Sequence, residues 1–128
     1  MRHLVFVYGT LRLRQRNDIN LKTPSPLFVG MAYVQGQLYS RGWYPGLRLG
    51  GDKRVEGEVY DISSELLAQL DVLEELTPVP SGEYQRISTM VMCGDQPLIC
   101  EVYELSQDFA ARSQALEQGN WLAYAPQS

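Results

Sequence analysis

The chain has 128 residues, 45% hydrophobic and 20% charged. That is a globular composition, which excludes disordered, collagenous and coiled-coil chains and corresponds to one domain over residues 1–128. With 11 basic and 15 acidic residues the net charge is −4, which argues against a nucleic-acid partner because such affinity rests on Lys and Arg neutralising phosphates.

Two cysteines, Cys93 and Cys100, are too few for a disulfide framework and read as free thiols. The apolar run Leu4 to Tyr8 is shorter than the roughly 7–15 residues of a signal-peptide core, and no stretch approaches the ~18 apolar residues of a membrane span. The sequence thus predicts a soluble, cytoplasmic protein with no membrane partner. A single histidine, His3, leaves no multi-histidine zinc site and no paired proton relay, so neither a metal nor an organic cofactor is expected. Any general base is then a carboxylate, lysine, tyrosine or cysteine.

In chain order, His3 to Tyr8 is a nearly continuous apolar, β-branched run halted by Gly9, which reads as a buried strand entering a tight loop, Gly9 to Arg12. Arg12, Arg14 and Arg16 read as part of a solvated loop rather than a clamp for an anion. Leu27 to Tyr39 fits one or two strands, with bulges or close backbone approaches at Gly30 and Gly36. Gly42 to Gly46 reads as loop. Val55 to Ile62 alternates, with Val55, Gly57 and Val59 on one face and Glu56, Glu58 and Tyr60 on the other.

Ser63 can cap a helix, with Ile62 and Leu67 forming a staple and Leu66, Leu70 and Leu73 an apolar stripe, which predicts a helix ending near Glu75. The Thr77 to Gly82 segment, with Pro78 and Pro80, breaks it. Tyr84 to Met92 and Leu98 to Leu105 flank a turn and predict an antiparallel hairpin. A second helix is expected from Ser106 through about Gln118, closed by Gly119. Strands dominate without a regular βα alternation, so the expected class is α+β: a small mixed, barrel-like curled sheet with two flanking helices.

Two places can carry chemistry. In Tyr8-Gly9-Thr10-Leu11-Arg12, a glycine after a buried strand either makes a plain strand-exit turn or lets successive N–H groups point into a concavity that holds a carboxylate or an oxyanion. Glu74 lies four residues from Leu70 and seven from Leu67, beside the leucine stripe and at the negative end of the helix dipole. It is either a solvated helix-end glutamate or a base whose pKa is raised by both effects. Asp71 can neighbour the same patch, and Tyr84 is either a core tyrosine or one that orients a substrate.

The blocks V-F-V-Y-G-T-L-R (5–12), L-Y-S-R-G-W-Y-P-G-L (38–47), V-E-G-E-V-Y-D-I (55–62), L-D-V-L-E (70–74) and E-Y-Q-R-I (83–87), taken in this order, resemble the γ-glutamylcyclotransferase-like family. The likeness is to its γ-glutamylamine cyclotransferase and AIG2-like branch. The resemblance implies a barrel-like sheet and cofactor-free release of a γ-glutamyl group as cyclic 5-oxoproline from a small-molecule γ-glutamyl substrate. It also implies a substrate cradle at Tyr8, Gly9, Thr10 and Leu11, Glu74 as the base, and Tyr84 lining the pocket. Many relatives carry Gly where this chain has Glu75. The alternative function is a non-catalytic protein that binds a small metabolite in the same pocket.

Overall fold

A computed structural model describes residues 2–124. Its strands are β1 (Arg2–Val7), β2 (Leu27–Ser40), β3 (Pro45–Ser63), β4 (Tyr84–Cys93), β5 (Gln96–Leu105) and β6 (Gln114–Ala115), and its helices are α1 (Ser64–Leu73) and α2 (Gln107–Ala111). The sheet order is β3-β1-β5-β4-β2-β6, and a further β2–β3 pairing closes the first five strands into a barrel. All the pairings are antiparallel except β1 with β5. This is the mixed, curled α+β sheet with two helices that the sequence predicts. None of the described helices is long and apolar enough to cross a membrane.

The alternation of β1 divides the core. Phe6 and Tyr8 point into the barrel with Val34, Leu38, Leu47, Val59, Val91 and Val102. Val5 and Val7 face the other way, under Leu66, Leu67 and Leu70 of α1, as expected where side chains alternate along a strand buried on both faces. Helix α1 starts where expected: the Ser63 hydroxyl accepts from Leu66 N at 3.1 Å. It ends in a Schellman turn, with Leu76 N bonded to Asp71 O at 2.8 Å and Glu75 N to Val72 O at 3.0 Å, and with Glu75 in the left-handed region at φ 60°.

The β4–β5 hairpin pairs Tyr84 with Leu105 through Cys93 with Gln96. Leu27 to Ser40 is one strand whose register shifts fall at Phe28/Gly30 and Gln35/Gly36, the two places where glycine marks a bulge. The expected Gly42 to Gly46 loop is shorter, because Pro45 and Gly46 already belong to β3.

Two expectations are corrected. The second helix stops at Ala111 instead of running to Gln118, and Ser106 makes no side-chain cap. Beyond it, β6 pairs Ala115 with Tyr39, and Leu116 N bonds Leu38 O at 2.8 Å. Free hydrogen-bonding groups at the end of β2, together with burial of Leu116 and Trp121 in the barrel core, outweigh helix continuation. Gly119 is no helix cap: a Cβ there would lie 1.7 Å from Arg54 O, and Gly119 O accepts from Glu56 N at 2.8 Å.

The second correction is Arg12, which is not solvated. It is 2% exposed, and its Nε donates to Glu58 Oε2 at 2.5 Å while Nη1 donates to Asn120 Oδ1 at 2.9 Å. Glu58, 4% exposed, also accepts from Leu13 N and Tyr60 OH, each at 3.0 Å. A buried guanidinium and carboxylate persist only when each satisfies the other. Here their network anchors the loop after β1. Arg14 and Arg16 remain at the surface.

Candidate active site

The end of β1, the hairpin turn before β3, the end of α1 and the start of β4 enclose a cavity of about 360 Å³. Phe6 through Leu11, Asn17, Trp43, Tyr44, Pro45, Leu73, Glu74, Glu75, Glu83, Tyr84 and Tyr103 line it. The five predicted binding residues Tyr8, Gly9, Thr10, Leu11 and Tyr84 therefore line the same cavity as the predicted base Glu74. No Lys, Arg or His side chain lines the cavity among the described residues, and no three His, Cys, Asp or Glu side chains there converge into a metal-ligand set.

The loop after β1 is held from behind. The carbonyls of Gly9, Thr10 and Leu11 accept from Arg12 N (3.0 Å), Asn17 N (2.8 Å) and Ile19 N (2.9 Å). No turn carbonyl or side chain among the described residues accepts from the N–H groups of Gly9, Thr10 or Leu11. Thr10 Oγ1 accepts from Asn17 Nδ2 at 3.2 Å. Gly9 is required by a neighbour, since a Cβ would come within 2.5 Å of Pro45 Cγ. Any larger residue at Gly9 displaces Pro45, the first residue of β3.

The tyrosines offer rings rather than hydroxyls. Tyr8 OH donates to Tyr103 O at 2.7 Å and accepts from Leu47 N at 3.2 Å. Tyr84 OH donates to Pro45 O at 2.6 Å, and Tyr103 OH donates to Asp71 Oδ1 at 2.6 Å. Desolvation by burial is the main cause raising all three phenols above their ordinary value, so they stay protonated. Tyr84 positions Pro45, and through it the ring packed against Gly9.

Asp71 and Glu74, three residues apart on α1, are treated differently. Asp71 Oδ1 takes Arg86 Nε at 2.9 Å in addition to Tyr103, whereas Glu74, the C-cap of α1, makes no side-chain hydrogen bond or ion pair among the described residues. Desolvation, then the charges of Glu83 and Glu75, push its carboxyl from 4.5 up to about 7. Such a group is half ionised near neutral pH and can take a proton from an ammonium and return it.

Sequence reasoning missed Glu83, Asn17 and the pair Trp43 and Tyr44. Glu83 Oε2 accepts from Arg41 Nε at 2.9 Å and Tyr44 OH at 2.7 Å. Trp43 packs edge-on against Tyr44 at 4.8 Å, with the Arg16 guanidinium 4.4 Å from the Trp43 ring centre. Aromatic residues in a short hairpin turn were a signal; the pairing of Arg41 with Glu83, 42 residues apart, had none. The thiols lie outside the cavity, Cys100 being buried and pushed up to about 12 by desolvation.

The sequence model for "Gamma-glutamyl cyclotransferase, AIG2-like" proteins matches residues 5–123. The chain belongs to this family. It is 36% identical over 118 residues to the γ-glutamylcyclotransferase family protein YtfP of Escherichia coli, covering 92% of this chain and 95% of that one. It is 42% identical over 72 residues to the γ-L-glutamyl-butirosin B γ-glutamyl cyclotransferase of Niallia circulans, across 56% of this chain and 45% of that protein. The crystal structure of an AIG2-like protein from Mus musculus superposes with a TM-score of 0.73 at 26% identity, covering 99% of this chain and 86% of that one.

Proposed function

We propose that this family member is a cofactor-free enzyme that releases 5-oxoproline from a γ-glutamyl amine or peptide, with Glu74 as the general base. The observation that carries this reading is the unpaired Glu74 carboxylate, raised to about 7, in the same cavity as the loop 9–11 N–H groups. The reaction joins two groups of one molecule: the α-amine attacks the γ-carbonyl, and high effective concentration leaves the protein only to fold the chain and move a proton. Glu74 takes a proton from the α-ammonium and the freed amine attacks the γ-carbon. As that nitrogen sheds its second proton the C–N bond to the leaving amine breaks, and the leaving nitrogen takes up both protons, one of them back from Glu74, and departs as an ammonium. With no cationic side chain lining the cavity among the described residues, the N–H groups of loop 9–11 are the donors for the substrate carboxylate. The rings of Tyr8, Tyr84 and Tyr103 supply the apolar wall against the methylenes.

The test is 5-oxoproline release from a panel of γ-glutamyl amines and peptides. Glu74→Gln keeps the shape and removes the base, so turnover should fall by about 10²-fold or more, the usual worth of general base catalysis. Glu75→Gln should do far less. Because the base must be ionised, kcat/KM should rise with pH through an apparent value near 7. A Glu74→Gln protein with near wild-type release would overturn the assignment.

A further inference from the structure

Glu83, just before β4, lines the cavity together with the base and is held in an unusual way for a glutamate. Both of its protein donors, Arg41 Nε and Tyr44 OH, bond the same oxygen, Oε2. Oε1 accepts from no group among the described residues. Arg41 is itself fixed, donating through Nη1 to Ser113 Oγ at 2.9 Å and stacking over the Phe109 ring at 4.9 Å. The backbone on either side is pinned too: Glu83 N donates to Ser81 Oγ at 3.3 Å and Glu83 O accepts from Ser106 N at 2.8 Å. The result is a carboxylate clamped on one side, with its second oxygen left for whatever enters the cavity.

We propose that Glu83 is a substrate-binding residue whose free Oε1 holds the α-ammonium of the γ-glutamyl group, beside the base that deprotonates it. This rests on the γ-glutamyl reading above and adds a second carboxylate with a different task. A single cation facing two carboxylates can be anchored by one and give its proton to the other. Arg41 and Tyr44 engage the first; nothing engages Glu74. Glu83 and Glu74 line the same cavity, and the charge of Glu83 is one of the causes that raise Glu74. The α-carboxylate on loop 9–11 and the α-ammonium on Glu83 would then fix two substituents of the same carbon, which orients the amine toward the γ-carbonyl and discriminates against ligands lacking the amine.

The experiment measures binding without turnover, by calorimetry in the Glu74→Gln background. Two probes are used: L-γ-glutamylethylamide, and glutaric acid monoethylamide, which keeps the carboxylate and amide but has no amine. Adding Glu83→Gln preserves an acceptor for Arg41 and Tyr44 while removing the charge. L-γ-glutamylethylamide should then bind ~10-fold or more weakly, the worth of a hydrogen bond to a charged group. Glutaric acid monoethylamide should change less than about twofold, since it never meets the anchor. Glu83→Asp, which keeps the charge, should recover part of the difference. Equal losses for both probes, or no loss for the amine-bearing one, would overturn the role. Failure of the γ-glutamyl reading itself registers separately, as a wild-type protein that releases no 5-oxoproline.

Discussion

Glu58 and Glu74 are glutamates on opposite sides of the loop that follows β1, and the protein treats them in opposite ways. Glu58 is sealed behind the loop, where Arg12, Leu13 N and Tyr60 saturate it. Glu74 stands at the front with no partner, and the surrounding protein raises its pKa to about 7. A carboxylate removed from water must be neutralised by a partner or by a proton. The first solution builds a rigid scaffold and the second leaves a group able to exchange its proton. The loop between them joins the two, since Arg12 and Leu13 bond Glu58 while Gly9, Thr10 and Leu11 line the cavity that Glu74 shares.

The sharpest way to break this contrast is on the scaffold side. Glu58→Ala leaves Arg12 buried without its counter-charge, so unfolding in denaturant should show a loss of about 3–5 kcal/mol. A loss under about 1 kcal/mol would mean that water or Asn120 compensates Arg12 and that the pair does not anchor the loop.

Next in size is the stability of Glu74→Gln as a function of pH. A carboxyl raised from 4.5 to about 7 binds its proton more tightly folded than unfolded. Its contribution is therefore full below about 4.5 and is lost as pH rises toward 7. Glutamine resembles the protonated form, so the variant should match wild type near pH 4.5 and exceed it at pH 8 by up to about 3 kcal/mol. Removing the base should thus make the protein more stable and less active. Equal stability of the two proteins at both pH values would contradict the desolvation of Glu74.

The smallest effect is expected one residue along. Glu75 occupies the left-handed position of the Schellman turn at φ 60°, where a side chain costs about 1 kcal/mol that glycine avoids. Glu75→Gly should raise stability by roughly that amount, less the entropy that glycine adds to the unfolded chain. A decrease in thermal midpoint would show that the Glu75 side chain makes a compensating contact.

Much of this was legible in the chain itself, because it is written in local patterns. The alternation in β1 and β3, the Ser63 cap, the leucine stripe of α1, the glycines at the β2 bulges and the β4–β5 hairpin each depend on residues within a few positions of one another. The same holds for the place of Glu74 beside the stripe. What only the tertiary structure decided is pairing across sequence distance. Arg12 reads as a loop arginine until β3 brings Glu58 to it, 46 residues away, and Asp71 resembles Glu74 until β4 supplies Arg86. Glu83 has no local signature at all. The segment after Ser106 carries helix signals, but the open end of β2 and the barrel core claim Gln114 to Trp121. Local propensity is worth tenths of a kcal/mol per residue, whereas a buried charge or an apolar side chain is worth several, so where the two conflict the distant partner decides.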